Sequence, residues 1–382
     1  MTANPSRRDF LCRGAALVGA VSGMSSAGGA LRSSLLAADS APVGEIRRGG
    51  MIYRKLGPSD LYLSLLSFGS HTDPAYKLEE KGGMALTQEG QARRDRQLSR
   101  SFDLGVNMVD AYENMGQWEP LQRLIRPKRD KVLVSVCQQL SPVKDNIDRA
   151  ARLYGHVDLY RICIGDGLDL NERTWEDWDT VRRAKKAGKV RAIGVSGHAE
   201  NSLLQAVEEL EGLDYIMFPY NFIHARADYG EFLPAARKKG VGLIAIKPLA
   251  AGSIVKLDPR APPGSVPENA EIGLYKNKRR PLSDAVISEL TKSLNRLPDE
   301  SLCQAALRFT YSRPFLTCAL AGMFQDQEVE DNYAALTRHG RLSRKETAAL
   351  DAAREFSQHF SGVHGRSWLP PSYRWLDHQW RA

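Results

Sequence analysis

Eight short segments of this chain are almost continuously apolar, and a longer stretch of mixed polar and apolar residues separates most of them from the next. Val, Ile, Leu and Met fill most of their positions, without alternation between polar and apolar residues. Such runs are typical of parallel β-strands that are buried on both faces. The pattern therefore predicts eight parallel strands, at residues 63–69, 106–112, 132–137, 159–165, 192–197, 215–220, 242–248 and 316–322.

The stretches that follow these runs predict amphipathic helices. They lie at residues 88–104, 119–125, 143–154, 174–187, 199–211, 229–239, 301–312 and 326–336. Eight strand–helix units in succession predict an α/β fold, specifically a (β/α)8 TIM barrel. The competing fold is an open, doubly wound sheet, which would place a glycine-rich G-x-G-x-x-G turn after its first strand. Residues 67–71 contain no such turn.

The regions outside the barrel define the rest of the predicted organisation. Residues 51–57 and 61–63, with a Gly57-Pro58 turn, predict an N-terminal β-hairpin. The predicted parts of the chain are a signal peptide at 1–38, a polar linker at 39–50, a barrel at 51–361 with a Pro- and Gly-rich insertion at 253–300, and a tail at 362–382. The tail holds three of the six Trp residues. We expect it to pack on the barrel or on a second copy of the chain, as in a homo-oligomer.

The N-terminal segment resembles an export signal. Arg7-Arg8, followed by Asp9-Phe10-Leu11, resembles the twin-arginine consensus, and a Gly- and Ala-rich run over 14–30 comes after it. The glycines make this run too weakly apolar for a stable membrane span. The alternative is a disordered basic tail. The resemblance implies a periplasmic or otherwise exported protein that folds before export and often carries a cofactor.

The net charge and the cysteine content indicate which kinds of ligand the protein binds. Segment 1–38 carries four Arg and one Asp, so its removal lowers the formal charge from +8 to +5. No dense basic cluster exists beyond 276–280, and nucleic-acid binding is therefore not predicted. We expect a small-molecule substrate instead. The five Cys form no C-x-x-C motif and show no zinc-type spacing with His, so no metal site is predicted.

Six strings, in order along residues 51–355, resemble the aldo-keto reductase superfamily. They are MIYRKLG at 51–57, FDLGVNMVD at 102–110, GKVRAIGVS at 188–196, Pro219-Tyr220-Asn221, GVGLIAIKPLAAG at 240–252, and Gly322 followed by Asn332. Each string is short, but their shared order is specific. The resemblance implies a barrel that binds NADP or NAD at the carboxyl ends of its strands and reduces carbonyl groups.

The catalytic set of that family is only partly matched. The family uses a Tyr as proton donor, a Lys that lowers the pKa of the Tyr, an Asp that pairs with the Lys, and a His that orients the substrate. Asp110 matches the Asp, whereas Met115, Cys137 and Cys163 occupy the positions of the Tyr, Lys and His. Ser196 matches a cofactor-binding position, although Gly197 and Met217 replace the family's usual amides and 323–325 lack the base expected for a 2′-phosphate.

Other residues at strand ends are candidates for a rebuilt proton-donor set. Tyr112 lies two residues after Asp110 on an extended strand, His198 follows the fifth strand, and Lys247 ends the seventh. We therefore take Asp110, Tyr112, Lys247 and His198 as candidate catalytic residues. Simpler roles remain open: an aromatic wall for Tyr112, a solvent-facing or cap contact for His198, and a Lys247 that reaches into water. Asp110 is expected to pair with Lys247 or Arg161, or to be hydrated.

The resemblance also implies a cofactor-binding set for NADP or NAD. Its members follow the ends of the strands and the start of the last helix: Ser196, Tyr220, Asn221, Pro248, Leu249, Gly322, Asp331 and Asn332.

Cys137 and Cys163 end neighbouring strands, which lie roughly 4.8 Å apart in a sheet. Two interpretations remain open: a disulfide in an oxidising compartment, or an apolar plug in the space of the family's Lys and His.

The sequence favours an NAD(P)H-dependent oxidoreductase with an altered proton-donor set. The first alternative is a non-catalytic periplasmic barrel that binds a small molecule or a partner, because fold alone does not establish activity. The second is a sugar hydrolase, for which Asp110 and Asp166 are the evident pair of carboxylates.

Overall fold

The computed structural model contains the predicted closed barrel of eight parallel strands. The structure describes residues 44–78, 85–138, 140–164, 170–221, 227, 230–249, 252, 254–255, 258 and 297–337. The barrel strands are β4 (Leu66–Phe68), β5 (Met108–Tyr112), β6 (Leu133–Cys137), β7 (Val157–Cys163), β8 (Val190–Ser196), β9 (Tyr215–Pro219), β10 (Gly242–Ile246) and β11 (Cys318–Ala321). Successive strands are neighbours, and β11 pairs with β4 to close the ring.

In the described residues, eight α-helices lie around the barrel and confirm the predicted alternation. They are α1 (Gln88–Asp103), α2 (Trp118–Ile125), α3 (Val143–Tyr154), α4 (Glu172–Lys186), α5 (Glu200–Glu209), α6 (Phe232–Lys238), α7 (Leu302–Tyr311) and α8 (Asp326–Thr337). Local sequence fixes several of their starts. The Thr87 and Asn171 side chains accept hydrogen bonds from the first turns of α1 and α4. Ser301 and Gln304 form a reciprocal capping box at the start of α7.

A three-stranded antiparallel sheet precedes the barrel, with the order β1 (Glu45–Arg48), β2 (Met51–Lys55) and β3 (Tyr62–Ser64). β2 and β3 form the predicted hairpin, whereas β1 lies in the segment interpreted as a linker. Leu56, Leu61 and Leu63 join the inward-facing apolar cluster of the barrel. The hairpin thus covers the amino-terminal end of the barrel and leaves the carboxyl end for function.

Each of the eight barrel strands differs from its predicted run by one to three residues at one or both ends, and strand pairing accounts for two of these differences. The run at 63–69 is split, because Ser64 pairs with Tyr53 in the hairpin sheet while Leu66 pairs with Ala319 in the barrel. β7 begins at Val157, two residues before the predicted start, because Val157 pairs with Val190 of β8. Side chains alternate along each strand, so that every second residue of the barrel strands points inward.

The predicted signal peptide at 1–38, the predicted tail at 362–382 and most of the predicted insertion at 253–300 lie outside the described residues. Asp166, one of the two carboxylates of the hydrolase alternative, also lies outside them. Where the structure does describe a helix, none is long and apolar enough to cross a bilayer.

Candidate active site

The inward positions at the carboxyl ends of the strands form the mouth of the barrel. Strand register places Tyr112 beside Cys137, and Cys163 beside Ser196. Ser196 in turn pairs with Met217 on the next strand. Because parallel strands present their carboxyl ends on one side, these side chains surround a single opening.

A buried ion pair forms the floor of this mouth. Asp110 and Arg161 are 2% and 0% exposed, so both charges are removed from water. The Arg161 guanidinium donates from Nη1 to Oδ1 of Asp110 at 2.6 Å and from Nη2 to Oδ2 at 2.9 Å. Ser135 donates to the same carboxylate at 2.8 Å. Of the partners that the sequence left open for Asp110, the structure therefore selects Arg161, in a bidentate pair.

Tyr112 lies directly above this ion pair. The guanidinium carbon of Arg161 is 5.1 Å from the centroid of the Tyr112 ring, a cation–π distance. Burial raises the pKa of Tyr112, although Arg161 acts in the opposite direction. The phenol is consequently a weak acid that retains its proton. This environment suits an aromatic wall better than a proton donor.

Lys247 and His198 meet across the end of β9. Lys247 follows β10 and His198 follows β8, and Lys247 Nζ lies 2.9 Å from His198 Nε2. The ammonium donates this hydrogen bond when the imidazole is neutral, with its proton on Nδ1. Lys247 has φ of 56°, the single positive value among the described residues other than glycine. Such a conformation costs on the order of 1–3 kcal/mol and concentrates at functional sites.

Cys137 and Cys163 lie beside the ion pair. Their sulfur atoms are 3.1 Å apart, and the two thiols are not joined by a disulfide. Cys137 is buried, whereas Cys163 is exposed. A hydrogen bond from Cys137, together with the charge of Arg161, lowers the pKa of Cys163 to about 7, against the effect of desolvation.

The predicted cofactor residues after β8, β9 and β10 occupy two different environments. Ser196 is 7% exposed at the mouth, and the Asn221 side chain donates from Nδ2 to the Lys247 carbonyl at 3.0 Å. The Tyr220 ring instead stacks on Phe309 of α7 at a centroid distance of 6.0 Å. It therefore belongs to the apolar layer between strands and helices. Pro248 is buried and Leu249 half-buried directly after Lys247.

Of the predicted cofactor residues after β11, Gly322 precedes α8, whereas Asp331 and Asn332 lie in the middle of that helix. Gly322 is exposed, and a Cβ there would meet no atom closer than 3.9 Å. Asn332 is buried, with 3% of its surface exposed, and its side-chain amide nitrogen has no hydrogen-bond partner. Asp331 accepts from Gln304 through its carbonyl at 3.3 Å and from Gln327 through its carboxylate at 3.0 Å. An orphaned donor of this kind indicates a missing acceptor.

Glu328 occupies the backbone donors of the same turn. One oxygen of its carboxylate accepts from the amides of Phe324 at 2.6 Å and of Gln325 at 3.1 Å. These amides are thus unavailable to another anion. The residues present fit a dinucleotide at the exposed Gly322 and the orphaned Asn332, but they disfavour an additional phosphate beside Glu328.

Several residues that shape the mouth are not identified as functional by the sequence pattern. The sequence alone indicates Arg161 only as one possible partner of Asp110, although a charged residue inside an apolar strand is a signal of a buried ion pair. Ser135 completes that pair. The ring of His71, which follows β4, lies 6.0 Å from the Tyr112 ring. Desolvation and the charge of Lys247 lower the pKa of His71 to about 4.

Tyr215 is a further residue that the pattern did not single out. Its side chain is fully buried inside the barrel, and its hydroxyl has no hydrogen-bond partner. Gly194 on the next strand makes this possible, because a Cβ there would lie 2.7 Å from the Tyr215 ring. No group of three or more His, Cys, Asp or Glu suited to a metal ion occurs within the described ranges.

Comparison with known proteins agrees with this architecture. The model of the aldo/keto reductase family matches residues 81–355. The chain is 25% identical over 340 residues to L-glyceraldehyde 3-phosphate reductase of Escherichia coli strain K12, covering 80% of this chain and 93% of the relative. It is 22% identical over 303 residues to L-galactose dehydrogenase of Arabidopsis thaliana, covering 74% and 88%.

A solved structure shares the fold. An aldo-keto reductase from Bacillus halodurans, in its holo form, superposes with a TM-score of 0.56 at 20% identity. The superposition covers 79% of this chain and 95% of that protein. The family model spans well over half of the residues, and the closed barrel is the corresponding architecture. The chain belongs to the aldo/keto reductase family.

Proposed function

We propose that this protein is a nicotinamide-dependent oxidoreductase that reduces a small carbonyl compound, with the Lys247 ammonium as proton donor. The observation that carries the proposal is the contact of 2.9 Å between Lys247 Nζ and His198 Nε2 at the mouth. A carbonyl that receives a hydride becomes an alkoxide, which must be protonated. The mouth therefore needs a proton donor, and it holds an ammonium fixed in direction by an imidazole.

Lys247 suits this role better than Tyr112. The pKa of Tyr112 is raised by burial, so its phenol does not readily release a proton near neutral pH. The Lys247 ammonium is a donor with three N–H groups, and its contact with His198 fixes its direction at the mouth. A positive charge also stabilises a developing alkoxide before proton transfer is complete.

The other candidate residues shape the site around that transfer. Asp110 and Arg161 neutralise each other, so the floor is rigid and carries no net charge. Tyr112 forms the wall above them, and His198 positions Lys247. We assign Lys247 as catalytic, and His198, Asp110 and Arg161 as positioning residues.

The proposed cofactor is NAD or NADP, and a bound nicotinamide would supply the hydride. Ser196 and Asn221 at the mouth, with Gly322 before α8 and Asn332 within it, are the residues that would hold it. Tyr220, Pro248, Leu249 and Asp331 remain expectations from the resemblance. Because the Glu328 carboxylate occupies the amides of Phe324 and Gln325, we expect NAD to bind more tightly than NADP.

The test combines binding with turnover. Fluorescence titration with NADH and NADPH is expected to show saturable binding, tighter for NADH. A panel of aldehydes is expected to contain a substrate. The panel includes sugar aldehydes, because two relatives have sugar or sugar-phosphate names.

Lys247→Met should lower kcat by a factor of about 10²–10⁴ with little change in KM, as expected for loss of a general acid.

Lys186→Met, at an exposed position of α4, is the matched control and should retain full activity. The His198→Gln variant should shift the pH profile of kcat, because it changes the environment of the ammonium. If dinucleotide binds but no carbonyl is reduced, the catalytic proposal fails in favour of the non-catalytic barrel. If neither binding nor turnover is seen, the cofactor assignment fails as well.

A further inference from the structure

Two cysteines at the mouth form a pair with no role in the chemistry proposed above. Cys137 ends β6 and Cys163 ends β7, and their sulfur atoms are 3.1 Å apart. A disulfide bond is about 2.03–2.05 Å long. The two sulfurs therefore need to approach by only about 1 Å to bond.

The two thiols differ in accessibility and acidity. Cys163 is exposed and Cys137 is fully buried. A hydrogen bond from Cys137 and the charge of Arg161 lower the pKa of Cys163 to about 7, although desolvation opposes them. The same hydrogen bond, with burial, raises the pKa of Cys137. Cys163 is thus a reachable thiol that is partly ionised near neutral pH, and its neighbour Cys137 is a shielded thiol.

Charged groups from several strands face the pair. Arg161 on β7 favours the Cys163 thiolate, Asp110 on β5 disfavours it, and Lys247 after β10 favours it. Arg161 is fixed by Asp110, and its Nε is buried without a hydrogen-bond partner. The pair with Asp110 therefore holds the guanidinium beside the sulfurs.

We propose that Cys163 and Cys137 are a redox-active dithiol that exchanges with low-molecular-weight disulfides. An exposed thiolate backed by a buried second thiol is the arrangement that such exchange requires. The reaction needs no nicotinamide, so this inference does not depend on the proposed carbonyl reduction.

The exchange proceeds in two displacements. The Cys163 thiolate attacks one sulfur of glutathione disulfide, forms a mixed disulfide, and releases one glutathione thiolate, which takes a proton from water. Cys137 then loses its proton to water and attacks the Cys163 sulfur; the bond between Cys163 and glutathione breaks, and the second glutathione leaves as a thiolate that takes up a proton. The cysteine pair loses two electrons, and glutathione disulfide is reduced to two molecules of glutathione.

Peptide mapping of the full chain tests the pair directly. The reduced protein is incubated with glutathione disulfide, alkylated and digested. We expect a cross-linked peptide containing Cys137 and Cys163, and its disappearance after dithiothreitol. A folded protein, by circular dichroism, that keeps both cysteines alkylatable after prolonged incubation would overturn the proposal.

Variants assign the order of attack. Cys137→Ser should accumulate a stable mixed disulfide of glutathione on Cys163, whereas Cys163→Ser should leave Cys137 unmodified. Cys303→Ser is the matched control, and it should form the cross-link at the wild-type rate. Mixed disulfide on Cys137 instead of Cys163 would contradict the proposed roles.

The pH dependence of alkylation distinguishes Cys163 from a cysteine with an unperturbed pKa. With a pKa of about 7, the rate at which iodoacetamide alkylates Cys163 should rise about tenfold from pH 6 to pH 8 and then level off. An unperturbed thiol, with a pKa of about 8.5, would still be rising steeply at pH 8. A continued steep rise would show that the pair does not stabilise the thiolate.

Discussion

At the scale of single residues, the mouth depends on the buried pair of Asp110 and Arg161. Breaking such a pair leaves one uncompensated buried charge, which costs about 3–5 kcal/mol. We therefore expect Arg161→Met to lower the free energy of unfolding by roughly that amount. The measurement is the urea unfolding midpoint, followed by circular dichroism.

A double-mutant cycle distinguishes pairing from packing. Arg161→Met combined with Asp110→Leu removes both charges and should recover much of the lost stability. Arg182→Met is the control, because Arg182 is 40% exposed where it pairs with Glu211 and such surface pairs contribute at most about 1 kcal/mol. Equal losses in the Arg161→Met single variant and in the double variant would show that the charge left on Asp110 is not the cause.

The sequence placed the candidate side chains at strand ends but did not establish how they meet. Position along a strand predicts which end of the barrel a residue occupies. Asp110, Lys247 and His198 are therefore identified as residues of the mouth. Their partners depend on the curvature of the barrel, which a linear pattern does not contain. Tyr220 shows the effect of the alternation of side chains between the two faces of a sheet. It lies just past the end of β9, and its ring packs outward against α7.

At the scale of elements, α7 begins with the capping box of Ser301 and Gln304. The Ser301 hydroxyl accepts from the Gln304 amide at 3.1 Å, and the Gln304 side chain accepts from the Ser301 amide at 2.9 Å. Ser301→Ala removes the acceptor and should cost about 1 kcal/mol. Ser301→Thr retains a hydroxyl and should lose less, so equal urea midpoints for the two variants would exclude the cap as a stabilising feature.

Elements that local pattern defines were predicted well, whereas elements that tertiary pairing defines were not. The buried strands and capped helices have apolar periodicity and end signals in their own residues. β1 has the polar sequence Glu-Ile-Arg-Arg, and it forms a strand because β2 pairs with it and Arg54 donates to Glu45 at 3.1 Å. The split between β3 and β4 likewise follows from two different pairing partners.

At the scale of the whole molecule, barrel closure joins the first and last strands. β4 pairs with β11, whose residues are about 250 positions later in the chain. Contacts between residues so distant in sequence slow folding, because a long loop must close first.

An export route that carries folded proteins suits a barrel that folds slowly. Folding in a reducing cytoplasm would also deliver Cys137 and Cys163 as thiols to an oxidising compartment.

We therefore propose that the protein is exported through its twin-arginine segment, and the Trp-rich tail remains a proposed contact between copies. Replacing Arg7 and Arg8 together by Lys should retain the folded protein in the cytoplasm, because a guanidinium and an ammonium present different hydrogen-bond donors to a receptor. Cell fractionation with immunoblotting measures the effect. Arg13→Lys, outside the pair, should leave export unchanged. Equal export of the Arg7/Arg8 double variant and the wild type would contradict the signal, since a disordered basic tail would tolerate Lys at both positions.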